Sequence, residues 1–217
     1  MSPTASEPLG LVCGLRAEAA LLARRPRLLV AVGLGPERAA AEAHDLLRRG
    51  ARALVSFGTA GGLDPALRAG SLVLPERVVA PGGAILPVDP ALALRLGRRP
   101  VQGALASVGA AVVTAAAKAA LRAATGAVAA DLESAAVAAV ALDAGVPFAA
   151  LRVVLDKADR ALPPAALAGL APDGGTRPLS VLAALLRRPQ DLPGLVALAR
   201  AQGRALGALR RVAATWA

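Results

Sequence analysis

The chain has 217 residues, enough for one domain with a three-layer core; 56% of them are hydrophobic and only 1% aromatic. Its net charge of +10 rests almost wholly on arginine, yet Phe57, Phe148 and Trp216 are its aromatic residues, so nucleic-acid binding has neither a stacking platform nor a groove-reading motif. A lone cysteine, Cys13, and a lone histidine, His44, exclude a disulfide framework and argue against any metal site.

The opening MSPTASEP lacks the basic stretch and apolar run of a signal peptide, so residues 1–8 are expected to be a disordered lead-in to a single cytoplasmic domain over residues 9–217. Residues 9–14 read as a first strand, 16–23 as a short helix and 27–32 as a second strand. In VGLGPERAAAEAHDLLRRG, Pro36 suits the first helical position and Gly50 the C-terminal cap. A third strand over 53–57 ends in Gly58, Thr59, Ala60, Gly61 and Gly62, which read either as a tight turn or as a loop of bare N–H groups approaching an anion or a sugar. A DPALRAG turn leads to a strand over 71–74, and 78–86 is a strand or hairpin broken at Pro81-Gly82-Gly83. Residues 103–113 read as strand, 115–124 as helix and 127–130 as a short strand. DLESAAVAAVALDAG follows as a helix capped by Asp131 and stopped at Gly145 and Pro147. Residues 148–155 form a buried strand with Asp156 at its end, and from Pro178 the tail holds two basic amphipathic helices. Residues 100–117 are uncharged, but Gln102, Ser107 and Thr114 make them too polar to span a membrane. The alternation of strands and helices defines an α/β fold.

Ligands of open α/β sheets bind beyond the carboxyl ends of the strands. Four features fall there: residues 16–18, Gly33 to Gly35, the glycine-rich segment 58–62, and Asp156. Asp131 and Glu133 open a helix directly after a strand. A dinucleotide site built on Gly33 and Gly35 fails, because Arg38 occupies the third glycine position and no acid near the next strand end could hold a ribose.

Three segments, VSFGTAGGLDPALRAGSLVLPE, DLESAAVA and LRVVLDKAD, carry a resemblance to the purine nucleoside phosphorylase and methylthioadenosine/S-adenosylhomocysteine nucleosidase superfamily. The GLRAE opening, DKADRALPPAA and the tail VLAALLRRPQDLPGLVALAR are similar to the hopanoid-associated phosphorylases. The resemblance implies a three-layer α/β/α phosphorylase/hydrolase-like fold around a mixed sheet. It also implies cleavage of the N-glycosidic bond of adenosylhopane, releasing adenine, without a cofactor other than phosphate as a co-substrate. In that reading Asp156 protonates the departing purine, Glu133 binds the ribose hydroxyls, and Leu132 packs under the sugar. Thr59 and Gly61 face the sugar or the nucleophile. Two acceptors compete. Glu18 matches the glutamate that activates water, whereas Arg16, with Gly33, Gly35 and Arg38 near it, suits phosphate, which is narrowly favoured.

Two departures from the superfamily pattern bear on the substrate. Gly109-Ala110-Ala111-Val112-Val113 stands where nucleosidases place a phenylalanine, so Val112 offers an aliphatic wall and the backbone near Val113 an edge for the base. The stretch after Pro75 is short, which leaves the 5′ side of a nucleoside open to a long lipid. The expected partners are a nucleoside-lipid substrate, a membrane surface touched by the basic tail, and a second copy of the chain in a homodimer. The alternatives are a methylthioadenosine/S-adenosylhomocysteine nucleosidase and a non-catalytic purine-binding or membrane-associated protein.

Overall fold

The computed structural model describes residues 8–216 except Arg24, Pro26, residues 98–102, Leu170 and Pro172; the disordered lead-in expected at the N-terminus falls outside the described residues but for Pro8. The strands are β1 (Leu9–Cys13), β2 (Leu28–Val32), β3 (Ala53–Gly62), β4 (Leu72–Val73), β5 (Arg77–Val79), β6 (Ile85–Pro87), β7 (Ala104–Ser107), β8 (Ala127–Asp131) and β9 (Phe148–Asp156). The helices are α1 (Arg16–Ala19), α2 (Pro36–Arg48), α3 (Pro90–Leu96), α4 (Ala115–Thr125), α5 (Ser134–Asp143), α6 (Pro164–Ala168), α7 (Pro178–Arg187) and α8 (Leu192–Ala213).

One mixed sheet runs in the order β2-β1-β3-β8-β7-β5-β6, with β9 paired alongside β3 and β4 alongside β9. Strands β1, β2, β3 and β9 are parallel, and β8 meets the end of β3 antiparallel through Gly61 and Gly62. Helices α2 and α5 pack on each other and on these strands, while α8 lies over β9 and β3 beside α1. The expected α/β/α layering around a mixed sheet is therefore what the chain adopts.

Local chemistry explains the main elements. In α2, Pro36 occupies the first turn and Ala39, Ala43 and Leu46 form one buried stripe. Helix α5 is apolar nearly all round because it is buried on most of its faces. Strand β9, FAALRVVLD, is buried along almost its whole length, as a strand flanked on both faces must be. Trp216, just beyond α8, packs edge-on against Phe57 with ring centroids 5.5 Å apart and donates to the Leu96 carbonyl at 2.9 Å.

Three expectations are corrected. Residues 58–62 are not a loop: they continue β3, pair with β9 as far as Gly61, and carry a bulge between Ala60 and Gly61 that sets Gly61 opposite Asp156. The strand expected over 103–113 stops at Ser107, and the next segment runs irregularly to α4, which Thr114 caps by accepting from the Ala117 N–H. Helix α5 starts at Ser134 rather than Asp131, which ends β8 and accepts from the Ser134 N–H and hydroxyl.

Candidate active site

Three carboxylates meet at the ends of β1, β8 and β9. They line a cavity of about 170 Å³ together with Gly14, Thr59, Gly61, Val112, Leu132, Lys118 and Arg152. The turn out of β1 points Glu18 inward, although α1 spans only Arg16–Ala19. Its Oε1 accepts from the Thr59 N–H and hydroxyl, each at 2.8 Å, and its Oε2 from the Leu15 N–H at 3.0 Å. Burial nevertheless pushes its carboxyl up, against the pull of Arg152 and these hydrogen bonds.

Glu133 follows β8 and precedes α5. Its Oε1 accepts from the Gly35 N–H at 3.1 Å, and its Oε2 lies 3.3 Å from Arg152. Burial, partly offset by Arg152 and reinforced by Asp131, raises its pKa to about 7. Gly14 and Gly58 leave room for these acids. A Cβ on Gly14 would lie 3.1 Å from Glu133 Oε1, and one on Gly58 would lie 2.5 Å from Glu18 Oε2 and 2.8 Å from Arg152 Nη1.

Arg152 holds the acids together. It is 1% exposed in the middle of β9 and pairs with Asp131 and Glu133, with its Nη2 donating to Ser56 Oγ at 2.6 Å. Its Nε–H is buried without a partner. Asp131, Glu133 and Glu18 surround this one guanidinium; burial lessens their negative charge by raising Glu18 and Glu133, and what remains suits a developing cation better than a second anion.

At the far side, Asp156 presents one carboxylate oxygen near Gly61, where a Cβ would lie 3.5 Å from Oδ1. The other oxygen accepts from Lys118. Burial pushes the Asp156 carboxyl up, while the hydrogen bond and charge of Lys118 pull it down. Residues 12–187 match the model of a family described as the phosphorylase superfamily. The chain belongs to that superfamily.

Other phosphorylase-superfamily proteins share its fold. A Helicobacter pylori methylthioadenosine nucleosidase variant with 5′-methylthioadenosine in its active site is 19% identical, with a TM-score of 0.64 over 70% of this chain and 87% of its own. The Helicobacter pylori futalosine hydrolase is 19% identical, with a TM-score of 0.65 over 71% and 86%. A Streptococcus pyogenes S-adenosylhomocysteine nucleosidase bound to 5-methylthiotubercidin is 20% identical, with a TM-score of 0.64 over 73% and 87%. No curated protein sequence matches the chain.

The structure gathers Glu18, Thr59, Gly61, Val112, Leu132, Glu133 and Asp156 on one cavity. Val113 stands outside this lining, its carbonyl taken by the Leu162 N–H at 2.8 Å. Of the four residues grouped for phosphate, the two arginines share one groove and the two glycines are engaged elsewhere. Arg16 is exposed and ion-paired with Asp173 at 2.8 Å. Gly33 packs under the Arg38 backbone, where a Cβ would come within 2.7 Å, and the Gly35 N–H is spent on Glu133. Arg16 and Arg38 line an outer groove of about 1150 Å³ that borders the cavity. Among the described residues no cluster of His, Cys, Asp and Glu is placed to hold a metal ion.

Arg152 and Lys118 lie outside the candidates that the sequence motifs indicate, though each carries a signal. An arginine inside an apolar strand, LRVVL, requires buried acids around it. Lys118 is one of two lysines in a chain that otherwise uses arginine.

Proposed function

We propose that the protein is an enzyme that cleaves the N-glycosidic bond of a purine nucleoside, with Asp156 as the acid and Glu18 as the base. The convergence of Glu18, Glu133 and Asp156 on one cavity carries this reading. The bond from the sugar C1′ to the purine breaks as Asp156 gives its proton to a purine ring nitrogen, and the sugar carbon becomes electron-poor. Glu133 accepts from the ribose hydroxyls, and the excess carboxylate charge favours the oxocarbenium-like centre. Water adds at C1′ and loses its proton to Glu18, whose raised pKa makes it a competent base. The open Nε–H of Arg152 is a donor for an oxygen in this site. Water is favoured over phosphate because a phosphate dianion would meet three buried carboxylates, while Arg16 is engaged with Asp173.

The substrate reading follows from the groove. Small-molecule sites run to about 300–1000 Å³, so a cavity of about 170 Å³ holds only part of a substituted nucleoside. Leu15, Thr59, Leu155 and Leu162 line both this cavity and the outer groove. Leu167, Val181, Leu195, Leu198 and Leu206 from α6, α7 and α8 make the groove walls apolar. A nucleoside with a bulky apolar 5′ substituent fits that shape, and adenosylhopane, implied by the sequence resemblance, is such a compound. A peripheral bilayer contact accompanies it. Leu179, Leu182 and Leu186 are exposed along one side of α7, close in sequence to Arg187 and Arg188. Among the described residues no helix is long and apolar enough to cross a membrane.

The test is incubation with adenosylhopane and, separately, with methylthioadenosine, in ¹⁸O-water with and without phosphate, followed by mass analysis. Adenine and an ¹⁸O-labelled ribosylhopane are the expected products. A phosphorylated sugar formed only with phosphate would reverse the choice of acceptor. Cleavage of methylthioadenosine alone would reverse the choice of substrate. Adenine release from neither compound would remove the proposal.

A further inference from the structure

Helix α4 lies on the outside of the sheet, and the one fully buried side chain it contributes is not a hydrophobe but Lys118, 1% exposed. A buried ammonium is costly unless all three of its protons are bonded. All three are. Nζ donates to Asp156 Oδ2, to the Lys157 carbonyl at 2.8 Å and to the Arg160 carbonyl at 2.8 Å. One side chain thus ties the strand end that bears the acid, and the turn after it, to a helix on another part of the sheet.

We propose that Lys118 is the positioning residue of the acid: it holds Asp156 by one oxygen, keeps the other toward the cavity, and its charge sets the pH range over which Asp156 carries the proton it donates. The inference rests on Asp156 being that acid. Lys118 is the charged side chain in direct contact with it. The Lys157 side chain on the following turn pairs with Asp159 at 3.5 Å, and Arg122, further along α4, pairs with Asp64 at 3.0 Å. Across the sheet Asp131 pairs with Arg152. The groove behind the turn adds Arg68, Arg160, Arg200 and Arg204, all cationic. On the cavity side Glu18 and Glu133 face the same space, so Lys118 is the cation in direct contact with the acid.

The direction of the effect follows. An opposite charge in contact lowers a carboxyl pKa by about 1–3 units, so Lys118 limits the protonated acid to lower pH than burial alone would. Removing the charge widens that range upward. The experiment compares pH profiles of kcat/KM for the wild type, Lys118→Gln, Lys118→Met and Lys118→Arg, with Asp156→Asn alongside. Gln retains donors for the two carbonyls and separates charge from tethering. The expected result is an alkaline limb moved up by about one pH unit or more in the Gln and Met variants, a lower kcat with KM held, and a wild-type limb in Arg. Adenine affinity from pH 5 to 9 gives the same reading without turnover, its alkaline fall moving up in Lys118→Gln. A Lys118→Gln protein that binds adenine with an unmoved fall, or turns over with an unmoved limb, overturns the inference. Full activity in Asp156→Asn would instead overturn the assignment of the acid.

Discussion

Replacing Glu133 by Gln is expected to make the protein more stable at alkaline pH while abolishing its chemistry. The raised pKa of Glu133, from the usual 4.5 to about 7, means that the folded state holds its proton more tightly than the unfolded chain does. The sign is then fixed. The stability supplied by the neutral form is fully present below about pH 4.5 and is lost as the pH rises through about 7. At about 1.4 kcal/mol for each tenfold change in proton affinity, the charged carboxylate costs roughly 3 kcal/mol at pH 8.5 by comparison with its neutral form. Glutamine keeps the shape and an acceptor for the Gly35 N–H but never ionises. Arg152 retains Asp131 as a partner in the variant. For a chain of this size about 2–4 °C accompanies each kcal/mol, so Glu133→Gln should melt roughly 6–12 °C above the wild type at pH 8.5. The two curves should converge toward pH 4.5. The assay is thermal unfolding by circular dichroism across that range, with adenine release measured in parallel. A variant that melts below the wild type at pH 8.5, with the same pH dependence, refutes the argument that burial governs this acid.

Other outcomes can be checked independently. Glu18→Gln should lower kcat by about 100- to 10,000-fold, the usual scale for losing a general base, whereas Arg16→Ala should leave turnover near that of the wild type with and without phosphate; turnover that requires phosphate and is lost in Arg16→Ala but not in Glu18→Gln would favour phosphate as acceptor. Gly58→Ala should disable the enzyme, because the new Cβ would lie 2.5 Å from Glu18 Oε2 and 2.8 Å from Arg152 Nη1; a fully active variant would show that the acid can move freely. Asp89→Ala should cost about 1 kcal/mol in denaturant unfolding, since Asp89 accepts from the Leu92 N–H at 2.7 Å to cap α3. In flotation assays the protein should bind anionic vesicles at low salt, release at high salt, and bind more weakly after Leu182→Asp; equal flotation of both proteins would separate α7 from the contact.

Much of this architecture is legible from short-range rules. Proline at the start of α2, a glycine stop and a run of apolar residues in β9 each have a local cause, so their elements fall where the patterns put them. Residues 58–62 show where such rules stop. Glycine clusters normally signal turns, but here the missing Cβ atoms make space for Glu18, Arg152 and Asp156 while the backbone continues as strand. The acids share that character. Glu18 and Glu133 are readable as candidates because acids beside strand ends are unusual, but the cation that unites them lies inside β9. Arg16 and Arg38 show a different limit. Arg16 is two residues from Glu18, yet it lines the outer groove, together with Arg38 from α2, while Glu18 faces the cavity. Sequence neighbourhood does not encode which side of a wall a side chain faces.

The charge imbalance around Arg152 also bears on how relatives with and without activity can be told apart. Losing one of the three acids relieves an excess of like charge, so a lineage released from selection for catalysis can discard Glu133 with a gain in stability. Losing the guanidinium strands several buried carboxylates and costs about 3–5 kcal/mol, a large share of a typical folding free energy. Decay should therefore be directional. The acids go early and the arginine last, whatever happens to the rest of the chain. An arginine at this place in β9 then testifies only that a protein still folds, whereas the full set of acids around it marks one that still works.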